Sequence, residues 1–137
     1  MKNLRYALVA FAVLLMATAA HAQQTKVAAT IPFTFVAGNH AYPAGDYLFS
    51  NNGVVLQIIN SEQGIGDMIL SQGCEKVTPP TETKVVFRQM GDYYFLQQIW
   101  VAGRSTGREL PKSTSEVRLA QNHEKSNSVI VAANIVK

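Results

Sequence analysis

Two breaks, Asn52-Gly53 and Gly91-Asp92, interrupt segments whose apolar residues recur at every second position, and this combination restricts the chain to antiparallel hairpins. Successive strand side chains point to opposite sides, so a period of two marks one buried face. Asn-Gly suits a type I′ turn, in which both central residues need positive φ. With Asn52 and Gly53 in the turn, Phe49 faces Leu56 and Tyr47 faces Ile58. One side then carries Tyr47, Phe49, Val54, Leu56 and Ile58, which are assigned to the core. The second hairpin runs from Thr83 to Met90 and from Tyr93 to Val101. Glycine first in its turn suits type II′. Phe87 then faces Leu96 and Val85 faces Gln98, giving a face of Val85, Phe87, Tyr94, Leu96 and Trp100. The opposite side holds Val86, Phe95, Ile99 and Val101 beside Lys84 and Arg88. Two apolar sides imply a central hairpin covered on both faces.

The remaining segments follow the same grammar. Val27 to Phe35 reads as a first strand with Val27, Ala29, Ile31, Phe33 and Phe35 on one side. Pro32 within it cannot donate a ladder hydrogen bond, which predicts an edge position or a bulge. Turns are expected at Gly38-Asn39-His40, at Tyr42 to Asp46 and at Asn60 to Gly64, with a short strand from Asp67 to Leu70. Ser71 to Glu82, polar and containing Pro79-Pro80, is predicted to be a loop. Gly103 to Lys112 reads as a polar connection. Ser113-Thr114-Ser115-Glu116 matches a capping box and predicts a helix near residues 114–121. Val129 to Val136 reads as a closing strand. The expectation is an all-β domain, a small antiparallel β-sandwich or closed barrel of about seven strands with that one helix.

Residues 1–22 have a different character. Lys2 and Arg5 precede an uncharged apolar run that ends at Ala20-His21-Ala22, the pattern of a secretory signal peptide cut after Ala22. Tyr6 to Ala20 is 15 residues, short of the roughly 20 needed to span a bilayer. Gln23 stands where a lipoprotein needs Cys. A single exported domain over residues 23–137 follows, periplasmic or extracellular and not integral to the membrane after cleavage. Lys2 and Arg5 leave with the leader, so the 12 basic residues become ten against nine acidic ones. The basic residues Arg104, Arg108, Lys112 and Arg118 are interrupted by Glu109 and Glu116. This balance argues for a solvated surface and against a nucleic-acid footprint. Cys74 is the sole cysteine, so a disulfide through it can only be intermolecular.

Candidate chemistry is sparse. His40, His123 and Cys74 lie in separate segments, which disfavours a metal site, and adjacent His123 and Glu124 diverge on either a strand or a helix. No G-x-S-x-G elbow and no phosphate-cradling loop occurs. Asp46, Asp67, Asp92 and Glu109 are not spaced to specify a carboxylate pair. No cofactor and no catalytic residue is implied. Aromatic residues are the one concentration. Tyr93, Phe95 and Trp100, with Arg88 opposite Phe95, form a candidate sugar- or lipid-binding face if Trp100 or Tyr93 is exposed; otherwise they are core with a cation–π contact.

The strings IPFTFVAGNHAYPAGDY, VVFRQMGDYYFLQQIW and GRELPKSTSE resemble a family of small secreted bacterial proteins of uncharacterised function. The likeness extends from Ile31 to about Leu119 and leaves Gly64 to Glu82 unmatched. It implies export and a compact β domain, and brings no activity or cofactor with it. The sequence therefore favours a non-catalytic exported domain that binds a partner, a surface polymer or a small apolar ligand, or that is structural in the cell envelope. A small secreted hydrolase and an outer-membrane barrel are the alternatives.

Overall fold

The computed structural model describes Asn3 and residues 24–64, 66–122 and 125–136. Apart from Asn3, the leader expected over residues 1–22 lies outside the described residues, as does the His123-Glu124 pair. Two sheets make up the domain. In the first, β12 (Asn134–Val136), β1 (Lys26–Ile31), β4 (Gly45–Asn52), β5 (Val55–Asn60) and β6 (Gly66–Leu70) lie side by side, all antiparallel. The second has β11 (Ser126–Ala132), β8 (Lys84–Met90), β9 (Tyr93–Trp100), β10 (Thr106–Glu109) and β7 (Gln72–Glu75) in that order. To these it adds the β2 (Phe35–Ala37) and β3 (His40–Tyr42) hairpin, with β2 parallel to β9 at Val36 and Phe95. The sheets do not close into a barrel, and the architecture is that of a small β-sandwich. Helix α1 (Thr114–Gln121) falls where the capping sequence places it.

The chain changes sheet at Pro32, at Pro43-Ala44, at Ser71 and at Ala133. This corrects the reading of Pro32. It does not sit on an edge strand, because β1 is flanked by β12 and β4; it ends β1 and releases the chain to β2 in the other sheet. A residue without an amide hydrogen terminates a ladder without leaving a donor unsatisfied. Ile31 and Phe35 are fully buried on either side of the crossing. At Ser71 a partly buried arginine clamp takes the place of proline. Arg108 donates to the Ser71 hydroxyl at 2.9 and 3.1 Å and to its carbonyl at 2.7 Å.

The first hairpin shows how register survives an error in the turn. Gly53 and Val54 form the loop, with Asn52 opposite Val55 and Phe49 opposite Ile58. Gly53 takes a φ of 64°, the conformation glycine alone enters without cost. Moving the loop by one residue moves each cross-strand partner by two, so parity holds and Tyr47, Phe49, Leu56 and Ile58 all face the core. Val54 does not: it sits in the loop, 64% exposed.

The second hairpin keeps Phe87 opposite Leu96 and Gly91 in its turn, but a β-bulge intervenes in β9. Val86 pairs with Gln98 and Phe87 with Leu96, leaving Gln97 as the extra residue. The bulge reverses the alternation beyond it. Val85 therefore faces Ile99, not Gln98, and Ile99 joins the interior while Trp100 turns to the outer face.

Three more expectations are corrected. Ser71 to Glu82 contains strand β7, and Gly103 to Lys112 contains β10, because the two pair with each other and extend the second sheet. The closing strand is split at Ala133, β11 lining β8 and β12 lining β1. Sequence alternation finds hairpins joined by tight turns; it misses short strands whose partners are distant in the chain. Twelve strands among the described residues, in place of about seven, is the result.

The interior is aromatic at one end. Phe35 contacts Tyr42, Tyr47 and Phe87 with ring centroids 5.0 to 5.4 Å apart, and Phe33 stacks on Tyr94 at 3.9 Å. Such edge and offset contacts add to the burial of large apolar area. Tyr47 donates its hydroxyl to the Pro43 carbonyl at 2.6 Å, and Tyr42 to Asp67 at 2.9 Å. Burial, reinforced by that bond to Asp67, pushes the Tyr42 phenol well above its usual range.

Candidate functional site

At the opposite end the sandwich stays open. A cleft of about 520 Å³ lies between the tip of the first hairpin and the strands β9 and β10. Its apolar wall is Val27, Phe49, Leu56, Ile99 and Val101, which are also core residues or pack against the core. Its polar rim includes Asn51, Thr106 and Arg104. The volume falls within the range of about 300–1,000 Å³ typical of small-molecule sites.

Two features of the rim bear on chemistry. The Asn51 side-chain oxygen is buried and accepts no hydrogen bond from the described residues. Buried acceptors are nearly always satisfied, so this one is an exception, with almost no surface of its own accessible. Arg104 is exposed and has no ion-pair partner among the described residues, whereas neighbouring Arg108 is committed to Ser71. The cleft therefore offers an apolar interior and, at its mouth, the cation of Arg104.

Neither Asn51 nor Arg104 was distinguished by the sequence. Arg104 belongs to the basic stretch read as solvated surface, and its neighbours prove to have other duties. Glu109 accepts from Gln98 at 3.2 Å and from Gln72 at 3.4 Å. Glu116 pairs with Arg88 at 3.0 Å and is buried. The Ser113 hydroxyl accepts from the Glu116 amide at 3.1 Å, so half of the expected capping box forms. The Glu116 carboxylate goes to Arg88 instead, tying α1 to the outer face of the second sheet.

The aromatic candidates share that outer face, since the bulge brings Trp100 to the same side as Arg88, Tyr93 and Phe95. Phe95 and Trp100 are each 1% exposed there, so neither presents a ring to solvent. Trp100 is covered by Gly107, where any Cβ would meet the indole at 2.7 Å, and by the Lys76 ammonium 4.4 Å from its centroid. Its indole N–H donates to Gln98 at 3.0 Å. The expected contact of Arg88 with Phe95 is replaced by the ion pair to Glu116. Tyr93 alone remains exposed, beside the Gly91 turn.

The motif residues thus have structural employment: Ile31, Phe35, Tyr47 and Leu110 in the core, Gly107 under Trp100, Arg108 at a sheet crossing and Ser113 at the helix cap. Cys74 is partly exposed in β7, opposite Gly107. Burial, then the charge of Glu109, raises its thiol above the usual range, which disfavours the reactive thiolate. His40 is exposed in β3 and does not line the cleft. Among the described residues no group of three or more His, Cys, Asp or Glu could hold a metal ion, and no helix is long and apolar enough to cross a membrane. Comparison with protein-family models, curated proteins and solved structures finds no match.

Proposed function

We propose that the chain is an exported, non-catalytic binding domain that takes a small amphipathic ligand into the open end of its sandwich. The apolar part of the ligand lies against Val27, Phe49, Leu56, Ile99 and Val101, and its anionic end meets Arg104. The observation that carries this reading is the cleft itself, in which core side chains are left facing a space of about 520 Å³. A chain that could bury its apolar surface completely gains about 25 cal/mol for each Å² covered, so a ligand that covers it gains the same driving force. The leader sequence supports export, and the motif strings, which resemble those of a family of small secreted proteins, agree with it.

Displacement of the fluorophore 1-anilinonaphthalene-8-sulfonate by decanoate tests the proposal. Decanoate is expected to compete. Arg104→Gln should weaken it about tenfold, the scale of one charge-assisted hydrogen bond. Val101→Phe, which narrows the cleft, should weaken it further. Competition that neither substitution changes, or no competition at all, contradicts the reading.

A further inference from the structure

On the outer face of the second sheet, away from the end cleft, lies a groove of about 360 Å³. Lys76, Lys84 and Arg88 line it, and among the described residues no carboxylate does, the nearest in contact with the lining being Glu109 on Gln98 and Glu116 on Arg88. We propose that this groove binds an acidic oligosaccharide, a ligand that combines negative charge with many neutral hydroxyls.

The placement of charge comes first. Lys84 stands opposite Trp100 and Arg88 opposite Phe95, on the side that the bulge makes common to both ends of β9. Lys76 is held over Trp100 from the segment after β7. Arg88 is neutralised from the helix side by Glu116, while Lys76 and Lys84 have no ion pair among the described residues. Two uncompensated ammonium groups thus share one concave surface, on a chain whose ionic residues nearly balance. Two like charges on one concave surface add their fields at an incoming anion.

The bulge supplies the second element. Adjacent strand residues normally face opposite ways, yet Gln97 and Gln98 both line the groove. The extra residue at Gln97 brings both side chains to one side, and bulges are features that re-aim side chains beside functional sites; the Gln98 amide is already held by Glu109 and the Trp100 indole, so Gln97 is the amide offered to a ligand. From β11, Ser126 and Ser128 add hydroxyls on the same wall. Cations alone would suit an inorganic anion. Amides and hydroxyls, which both donate and accept, suit a polyhydroxylated ligand that is long enough to reach them. The groove and the end cleft share no lining residue, so the two sites are independent.

Calorimetric titration of the purified protein at low salt decides the matter, with trigalacturonate, a sulfated disaccharide, inorganic phosphate and neutral maltotriose as probes. At least one acidic sugar is expected to bind with a Kd of about a millimolar or tighter. Lys84→Gln and Lys76→Gln should each weaken it about tenfold. Gln97→Ala should weaken the sugar and not phosphate. Arg104→Gln, in the other site, should leave it unchanged, and circular dichroism identifies any variant that fails to fold. Phosphate or maltotriose binding as tightly as the acidic sugars overturns the proposal. So does a complete absence of acidic-sugar binding, or binding that survives both lysine substitutions in folded protein.

Discussion

The two ends of the sandwich are built from the same strands and have opposite characters. At the end near the Gly91 turn, Phe33, Phe35, Tyr42, Tyr47, Phe87 and Tyr94 fill the space between the sheets with interlocking rings. At the end near the Gly53 turn, the facing residues are Val27, Leu56, Ile99 and Val101, with Phe49 the one ring, and the sheets enclose a cleft. Strand pairing runs through both ends, interrupted in the β8–β9 ladder by the bulge at Gln97. The difference lies in side-chain volume, and it separates the part of the core that holds the fold from the part that is free to hold something else.

The largest effect should come from breaking the packed end. Phe35→Ala removes a fully buried ring and is expected to cost about 3–5 kcal/mol in denaturant unfolding. Decanoate affinity of the molecules that remain folded should not change. Val101→Phe, which narrows the cleft, should do the reverse, costing less stability than Phe35→Ala, at most about 1–3 kcal/mol, while weakening binding more than it weakens the fold. If both variants lose stability and binding together, the two ends are not separable.

A smaller effect sharpens the comparison through pH. In the folded protein Tyr42 keeps its proton, held by burial and by its bond to Asp67, and its pKa is raised. In the unfolded chain the phenol ionises near its ordinary pKa of about 10. Its stabilising contribution is therefore complete below about pH 10 and is lost as pH rises above that value. Tyr47 shifts in the same direction because it too is buried. Tyr42→Phe should flatten the alkaline limb of the stability profile in part. It should also cost about 1 kcal/mol at neutral pH for the lost hydrogen bond. An alkaline limb unchanged in this variant would remove Tyr42 from the account.

The core face of β1, β4 and β5 was legible in the sequence and the cleft was not, for a physical reason. Alternation identified Val27, Ala29, Ile31 and Phe35, and Tyr47, Phe49, Leu56 and Ile58, as buried, because parity survives a misplaced turn. It assigned Ile99 and Trp100 to the wrong faces, because a bulge at Gln97 leaves no mark in the alternation of apolar residues. The strands β7 and β10 have few apolar residues and pair with each other across more than 30 positions, beyond the reach of a local pattern. A cleft depends on how much volume faces it from both sheets. Arg104 and Asn51 become recognisable only when β9, β10 and the first hairpin are placed together.

Methyl-resolved NMR of the protein titrated with decanoate tests the central claim most directly. The account predicts shifts concentrated in the methyl groups of Val27, Leu56, Ile99 and Val101. It predicts none at Ile31, which lies in the aromatic core away from the cleft lining. Shifts distributed evenly over both ends, or confined to exposed Met68 and Leu70 on β6, would contradict it.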